Sequence, residues 1–255
     1  MTDLFDLTGR TALVTGSSRG IGLTLAHGLA ASGARVVLHG RDQATLDAAR
    51  EAVLVSSDVE VFTATFDVTD RDVVEAGVTR IERDFGDIDI LVNNAGIQRR
   101  APFTEFSADD WNDLVATNLS SAFFVGQRVA RGMVSRGSGK IVNIGSVQSQ
   151  LGRPGIAAYA ATKGGIAMLT KGMCADLGPS GIQVNALAPG YFATELTQAL
   201  VDDAAFSEWV RTRTPAGRWG DTQDLVGTLV FLSSRASDFV NGQIVYVDGG
   251  MTAVV

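Results

Sequence analysis

The chain of 255 residues has a single cysteine, Cys174. One cysteine excludes an internal disulfide and any metal site built from several thiolates. Its apolar neighbours on one predicted helix, Met168, Leu169 and Leu177, predict that Cys174 is buried packing rather than a reactive thiol.

The sequence also lacks an excess of positive charge. It carries 28 acidic and 21 basic residues, a formal net charge of −7, and no run of Lys and Arg forms a basic stripe. Such a protein would repel a phosphate backbone on average, so nucleic acid is not expected as a partner. A few local arginines could still bind a small anion.

Long apolar runs are absent as well. No stretch approaches the roughly 18 residues that span a bilayer, and the first residues are acidic where a secretory signal would be basic. We therefore expect a cytoplasmic protein without a membrane partner. No linker, repeat or low-complexity tract interrupts the chain, so we expect one domain over residues 1–255.

Short β-branched runs alternate with longer amphipathic segments from start to end. The predicted strands are residues 11–15, 34–39, 59–64, 88–92, 140–144, 183–187 and 244–247, and helices are predicted at 21–32, 42–55, 71–84 and 157–177. Apolar strands separated by helices predict a seven-stranded parallel sheet with helices on both faces. In such a sheet ligands bind at the carboxyl ends of the strands.

A glycine-rich segment follows the first predicted strand and opens the first predicted helix. Glycines let the backbone turn tightly and approach a pyrophosphate, whose charge is met by free N–H groups at a helix N-terminus. This position predicts a dinucleotide site. The residues assigned to it are Gly16, Ser18, Arg19, Gly20, Ile21 and Gly22.

Tyr159 and Lys163 lie four residues apart on a predicted helix, which places the phenol and the ammonium group on one face. A tyrosine pKa is normally about 10, and a neighbouring cation lowers it, so this phenol could exchange a proton with an alcohol at neutral pH. Ser146 follows the fifth predicted strand, thirteen residues before Tyr159.

The Gly-x-x-x-Gly-x-Gly spacing, the Tyr-x-x-x-Lys pair and Ser146 resemble the short-chain dehydrogenases/reductases over nearly the whole chain. The resemblance implies a doubly wound Rossmann fold, a nicotinamide cofactor and further cofactor contacts. Those contacts are Asp67, Val68, Asn94, Ala95, Gly96, Lys163, Pro189, Gly190, Phe192 and Thr194.

The same resemblance implies roles for the catalytic set. Tyr159 is the acid/base, and Ser146 holds the substrate oxygen. Lys163 lowers the tyrosine pKa and binds the nicotinamide ribose, while Asn118 holds a water that links Lys163 to solvent. The hydride passes directly between substrate carbon and nicotinamide, so no metal is expected.

The end of the second predicted strand bears on the choice of cofactor. Gly40 stands where NAD-preferring family members carry a carboxylate, and Arg41 follows it. A guanidinium can pair bidentately with a 2′-phosphate, which a carboxylate would repel. Arg19 could add a second positive charge, and Asp42 is better explained as the N-cap of the next helix. We expect NADP, with NAD as the alternative.

Several loops are similar to those of family members that act on gluconate. These segments are residues 93–100, 102–106, 151–153, 213–216, 218–221 and 236–242. Substrate specificity resides in loops, so the expected reaction interconverts D-gluconate and 5-keto-D-gluconate with NADP. The stretch 195–216 should be the variable substrate lid, in which Phe206 and Trp209 are expected to be packing residues.

Arginines near the predicted cleft suit a sugar-acid substrate. Arg99 and Arg100 follow the fourth predicted strand, and Arg153 follows Ser146; we expect Arg100, then Arg153, to bind the carboxylate. Gln148 and Ser149 could bind sugar hydroxyls. The predicted substrate contacts are Arg100, Ser146, Gln148, Arg153, Tyr159 and Tyr191.

Other functions stay open at this point. The enzymatic alternatives are another sugar-acid or polyol dehydrogenase and a 3-oxoacyl-carrier-protein reductase, which should present a basic surface to its acidic carrier. A nucleotide-sensing regulator without turnover would have no use for the complete catalytic set. Family members are usually tetramers paired through helices near 120–136 and 157–177, so a homotetramer is expected.

Overall fold

A computed structural model describes residues 4–255. Within them, seven parallel strands form one sheet in the order β3-β2-β1-β4-β5-β6-β7. The strands are β1 (Thr11–Val14), β2 (Arg35–Gly40), β3 (Val61–Thr65), β4 (Ile90–Asn93), β5 (Gly139–Ile144), β6 (Ile182–Pro189) and β7 (Ile244–Val247). The predicted doubly wound parallel sheet is confirmed.

Helices cover both faces of the sheet. They are α1 (Gly20–Ala31), α2 (Gln43–Ser56), α3 (Arg71–Asp84), α4 (Ala108–Val115), α5 (Ser121–Arg136), α6 (Ala157–Leu177), α7 (Gln198–Val201), α8 (Ala204–Arg213) and α9 (Val226–Ser233). On one face α1 packs against α2 and α9; on the other, α5 packs against α3 and α6. The short helices α7 and α8 occupy the segment predicted as the lid.

Most strand residues are apolar because each face of the sheet supports a separate core. Val14 is buried with Leu25 of α1 on one face, whereas its neighbour Leu13 is buried with Val129 of α5 on the other. Successive side chains of a strand point to opposite sides. A sheet covered twice therefore needs apolar residues at consecutive positions.

Aspartates fix where two of the helices begin. Asp42 accepts a hydrogen bond from the Thr45 N–H (2.9 Å) at the start of α2, which confirms its predicted role as an N-cap. At the start of α3, Asp70 accepts one from the Asp72 N–H (2.9 Å). Both helices follow strands directly, so these caps set the direction in which the chain leaves the carboxyl edge of the sheet.

The apolar side of α6 differs from the prediction. Cys174 is only half-buried, because it lies at the margin of a core cluster near Gly242. Met168 is 64% exposed, since α6 turns that side away from the sheet. Part of the apolar stretch around the cysteine therefore faces solvent in the single chain.

Residues 4–255 contain neither a helix that could span a membrane nor a cluster of metal-ligating side chains. No helix in this part of the chain is long and apolar enough to cross a bilayer. Nor do its His, Cys, Asp and Glu side chains form a group of three or more that could hold a metal ion.

Candidate active site

A cavity of about 840 Å³ lies at the carboxyl edge of the sheet. Loops that follow β1 to β6 line it, because parallel strands all end at the same edge. Every residue that the sequence predicted for the site lines this cavity except Asn118, which is buried, and Ser149.

The glycine-rich loop after β1 has a backbone that only glycine tolerates easily. Gly16 has a φ of +63°, and a Cβ there would lie 2.9 Å from Cα of Ala95. A Cβ on Gly22 would overlap the Gly16 carbonyl. Arg19, the residue before α1, makes no side-chain capping bond, so the first N–H groups of α1 stay available to an anion. The loop therefore fits a cofactor pyrophosphate.

Hydrogen bonds between the ends of β1 and β4 hold this loop in place. The Thr15 hydroxyl accepts from the N–H groups of Asn94 (3.0 Å) and Ala95 (3.0 Å). In return, the Asn94 amide donates to the carbonyls of Thr15 (2.9 Å) and Gly16 (3.0 Å). These contacts place Asn94 and Ala95 on the floor of the predicted cofactor site. Thr15 is a supporting residue that sequence reasoning missed.

His39, at the end of β2, also supports the loop and was missed. Its Nδ1 accepts from the Gly16 N–H (3.2 Å), and its Nε2 donates to the Phe66 carbonyl (3.0 Å). Burial lowers the pKa of His39 to about 4, so the ring is neutral and can accept at Nδ1. A histidine within an apolar strand gives no sequence signal for this role.

Positive charge collects where the adenosine end of a dinucleotide would lie. Arg41 is exposed and lines the cavity together with Arg19. No carboxylate among residues 4–255 forms an ion pair with either guanidinium. Hydrogen bonds from Thr69, and secondarily the charge of Arg41, lower the pKa of Asp67. Both arginines are therefore available to a phosphate.

The predicted catalytic residues come together at the start of α6 and the end of β5. Lys163 lies one helical turn from Tyr159, with its Nζ 5.7 Å from the centre of the tyrosine ring. That Nζ donates to the Ile144 carbonyl (2.7 Å). Ser146 accepts a hydrogen bond from the Gln148 N–H (3.2 Å), which orients its hydroxyl at the cavity wall.

The pKa of Tyr159 differs from the sequence prediction, which expected Lys163 to lower it. Burial raises this pKa, and the opposing effects of the Ser146 hydroxyl and the Arg100 charge are smaller. Burial also lowers the pKa of Lys163 to about 8. The Lys163 ammonium donates to the Ile144 carbonyl, and burial of the phenol outweighs the charges around it.

Asn118 occupies a π-helical turn, Ala116–Ser120, between α4 and α5. Its Oδ1 accepts from the Ile97 N–H (2.8 Å), and its Nδ2 donates to the Ile97 carbonyl (2.9 Å). The side chain therefore fixes the loop after β4. The Nδ2 also donates to the Thr162 hydroxyl (3.4 Å). That Asn118 holds a water linking Lys163 to solvent stays a prediction.

The two arginines that follow β4 have different environments. Arg99 forms ion pairs with Asp110 (3.1 Å) and Asp113 (3.9 Å) of α4. Arg100 has no such partner within residues 4–255 and lines the cavity. Partial burial and the charge of Arg153 lower its pKa. An anion between Arg100 and Arg153 would relieve their repulsion.

Arg153 is held by an aromatic cluster. Its guanidinium carbon lies 5.4 Å from the centre of the Phe206 ring of α8. Tyr191 forms edge-to-face contacts with Phe206 (5.7 Å), Trp209 (5.6 Å) and Trp219 (5.9 Å). Phe206 and Trp209 are packing residues, as predicted. Tyr191 lines the cavity beside Arg153, whose charge opposes the upward pKa shift that burial gives Tyr191.

Amide groups face the same end of the cavity. Gln148 lines it, as predicted, and so does Gln98, which sequence reasoning did not single out. Ser149 does not: its hydroxyl donates to the Lys163 carbonyl (2.9 Å) inside the protein, so the prediction that it binds sugar hydroxyls is wrong.

Comparisons with known proteins agree with this geometry. A family model described as enoyl-(acyl carrier protein) reductase matches residues 16–252. The chain is 63% identical to gluconate 5-dehydrogenase of Gluconobacter oxydans (strain 621H) over 250 residues, which cover 98% of this chain and 97% of that protein. The chain belongs to the short-chain dehydrogenase/reductase family. It is accordingly an oxidoreductase that acts on CH–OH groups.

Two more proteins are similar to this short-chain dehydrogenase/reductase over its whole length. It is 52% identical to 5-keto-D-gluconate 5-reductase of Escherichia coli (strain K12) over 257 aligned positions, which cover 100% of both chains. A crystal structure of gluconate 5-dehydrogenase from Burkholderia cenocepacia J2315, in complex with NADP and tartrate, matches with a TM-score of 0.97. That chain is 56% identical, and the match covers 100% of this chain and 99% of that one.

Proposed function

We propose that this enzyme interconverts D-gluconate and 5-keto-D-gluconate with NADP. The observation that carries the proposal is the pair Arg100 and Arg153, two cations without carboxylate partners in residues 4–255, at the catalytic end of the cofactor cavity. A carboxylate satisfies both charges, whereas a neutral polyol leaves them opposed. The similarity to two gluconate 5-dehydrogenases and to a 5-keto-D-gluconate 5-reductase supports the same substrate.

The cofactor assignment rests on the end of β2. Gly40 lines the cavity and brings no carboxylate, and Arg41 and Arg19 supply positive charge that no carboxylate of the described chain neutralises. We propose that Arg41 binds the adenosine 2′-phosphate of NADP, and that NAD, which lacks this phosphate, binds more weakly. The glycine-rich loop and Asn94, Ala95 and Gly96 would hold the rest of the cofactor.

The chemistry follows from the groups around Ser146. When bound, the nicotinamide accepts the hydride in oxidation and supplies it in reduction. In oxidation, Ser146 binds the oxygen on C5 of the sugar acid, and Tyr159 removes its proton. Lys163 would bind the nicotinamide ribose, and its positive charge would stabilise the phenolate. In reduction, Tyr159 returns the proton to the oxygen.

The alternatives suit the structure less well. A polyol dehydrogenase has no need of two unpaired arginines beside the reacting carbon. A reductase of acyl-carrier substrates should present a basic surface, but this chain has a net charge of −7. A non-catalytic sensor would not need Ser146, Tyr159 and Lys163 around one cavity.

The expected assembly and location complete the proposal. We propose that residues 1–255 act as one domain, that the enzyme is a homotetramer paired through α5 and α6, and that it works in the cytoplasm, where NADP is supplied. Phe123 on α5 and Met168 on α6, which are 46% and 64% exposed in the single chain, would be covered by such pairing.

A substrate panel tests the function. Reduced nicotinamide absorbance is followed with NADP and D-gluconate, 2-deoxy-D-gluconate or sorbitol, and with reduced NADP and 5-keto-D-gluconate or an acetoacetyl thioester. We expect fast turnover of D-gluconate and 5-keto-D-gluconate only. Turnover of sorbitol or the thioester with inert gluconate would contradict the proposal.

The neighbouring residues Arg100 and Arg99 supply a test variant and its matched control. Arg100→Met should raise the KM for D-gluconate by roughly tenfold or more, since it removes a charge-assisted hydrogen bond. Arg99→Met should leave KM nearly unchanged, because Arg99 is engaged by Asp110. Equal effects of the two substitutions would show that Arg100 does not bind the carboxylate.

A further inference from the structure

Two glutamine amides at the substrate end of the cavity are incompletely satisfied. Gln98 lies in the loop after β4, and Gln148, only 8% exposed, lies in the turn after β5; both line the cavity. The Oε1 atom of each is buried and has no hydrogen-bond partner in the described part of the chain. A buried acceptor that has lost water without gaining a donor is unfavourable.

A ligand in the cavity can correct this. The terminal torsion of a glutamine is broad, so each amide can turn its oxygen toward the cavity at little cost. The nearby cations Arg100 and Arg153 would be engaged by the substrate carboxylate. Donors for the two amide oxygens must therefore come from another part of the substrate, and in a sugar acid these are hydroxyl groups.

The positions of the two glutamines indicate which substrate hydroxyls would donate to their amide oxygens. Gln148 lies two residues after Ser146, which holds the reacting oxygen, and Gln98 lies two residues before Arg100, which would bind the carboxylate. Both glutamines line the same cavity as Ser146 and Arg100, so we infer that their amides reach the part of the substrate between its reacting carbon and its carboxylate. In D-gluconate the atoms between the reacting C5 and the carboxylate are C2, C3 and C4, and each carries a hydroxyl.

We propose that Gln98 and Gln148 select sugar acids that are hydroxylated at C2 and C3 over their deoxy and keto analogues. The inference rests on the proposed function. A hydroxyl donates to an amide oxygen, whereas a keto group at C2 can only accept and a methylene at C3 does neither. A substrate lacking these hydroxyls offers the two amide oxygens fewer donors, and sites built on hydrogen bonds reject such analogues strongly.

The test compares D-gluconate with 2-dehydro-3-deoxy-D-gluconate, which has a keto group at C2 and no hydroxyl at C3. The wild-type enzyme should have a kcat/KM for gluconate at least about tenfold higher. Gln98→Met and Gln148→Met should each lower kcat/KM for gluconate by roughly tenfold and leave that for the deoxy acid nearly unchanged. The ratio of the two values should therefore shrink toward one.

Controls separate recognition from folding. Gln150→Met changes an exposed glutamine of the same turn that does not line the cavity, and its substrate ratio should equal that of the wild type. The Tm and the Kd for NADP should be alike in all variants. Equal losses on both substrates in the two cavity variants, or a wild-type enzyme that does not distinguish the acids, would overturn the inference while gluconate turnover keeps the proposed function. Inert gluconate would overturn both.

Discussion

At the scale of single residues, burial disfavours the charged form of both Tyr159 and Lys163. Burial raises the pKa of the tyrosine and lowers that of the lysine to about 8. A phenolate at this position therefore needs positive charge close by, and Lys163 is the cation one helical turn away. We therefore expect proton transfer to require the Tyr159 hydroxyl, whereas the aromatic ring alone would not support it.

Tyr159→Phe tests this directly. The substitution keeps the packing of the ring and removes the acid/base, which normally contributes about 100-fold to 10,000-fold to a rate. We expect kcat to fall by at least about 100-fold in both directions, with the Kd for NADP and the Tm nearly unchanged. A variant that keeps most of its rate would exclude Tyr159 as the acid/base.

The second prediction concerns Arg41 and the preference for NADP over NAD. Arg41→Ala should raise the KM for NADP by roughly tenfold or more, because a charge-assisted bond to the 2′-phosphate is lost. The KM for NAD should change little, because NAD lacks the 2′-phosphate. The NAD measurement is therefore the control for each enzyme. Steady-state kinetics with both cofactors give the result, and an unchanged NADP preference would contradict the assignment.

Sequence reasoning identified most of the residues of the cavity because motifs preserve residue type and spacing. It missed Gln98 and His39, whose roles depend on neighbours brought close only by the fold. It also expected a lowered Tyr159 pKa, since the i to i+4 spacing gives the proximity of Lys163 but neither the burial of the phenol nor the Ile144 carbonyl that the ammonium binds.

At the scale of elements, His39 joins β2 to the glycine-rich loop and to the end of β3. It accepts from the Gly16 N–H and donates to the Phe66 carbonyl, and the first of these bonds requires the neutral ring, because a protonated Nδ1 cannot accept. The hydrogen bond to the Phe66 carbonyl and the negative charge of Asp67 favour the protonated ring but only partly offset the effect of burial on the pKa of His39. Protonation should therefore destabilise this corner of the fold.

The consequence is a pH-dependent stability. The pKa of His39 falls from 6.5 to about 4 on folding, so between these values the unfolded chain binds the proton and the folded chain does not. The free energy of unfolding should decrease by up to about 3 kcal/mol as pH drops through this window. Urea unfolding at several pH values measures it.

The other histidine is the control for this effect. His39→Asn, whose Oδ1 can still accept from Gly16, should flatten the acid slope between pH 6.5 and 4, whereas His27→Asn should largely retain it, because His27 is much less buried. Equal slopes for wild type and His39→Asn would show that another group causes the acid sensitivity.

The order and type of the elements could be predicted from hydrophobic periodicity and cap residues. Helices α3 and α6 begin and end at the predicted residues, but β6 is longer than predicted and runs to Pro189. The edges of strands depend on pairing with neighbours, here β5 and β7, which local sequence does not encode. The segment predicted as the lid contains α7 and α8, and α8 is held by aromatic contacts of Tyr191 with Phe206 and Trp209, which local sequence does not encode.

At the scale of the whole molecule, α5 and α6 leave apolar side chains in solvent. Phe123 is 46% and Met168 64% exposed. If these helices pair subunits, Phe123→Glu combined with Met168→Glu should reduce the mass measured by light scattering from that of a tetramer to that of a smaller species.

Val73 provides a matched control for this prediction. It is 40% exposed on α3, outside the proposed interface, and Val73→Glu should leave the mass unchanged. A monomeric wild-type enzyme would contradict the proposed assembly. The doubly wound sheet could be predicted from the sequence. Which apolar residues another subunit would cover could not, because the exposure of a side chain is known only once the chain has folded.

Hydride transfer from C5 of D-gluconate to NADP is the central claim, and isotope transfer tests it most directly. D-gluconate carrying deuterium at C5 is incubated with the enzyme and NADP, and the reduced cofactor is analysed by mass spectrometry. The account predicts reduced NADP that carries one deuterium, together with 5-keto-D-gluconate. Reduced NADP without deuterium would mean that another carbon is oxidised and would contradict the account.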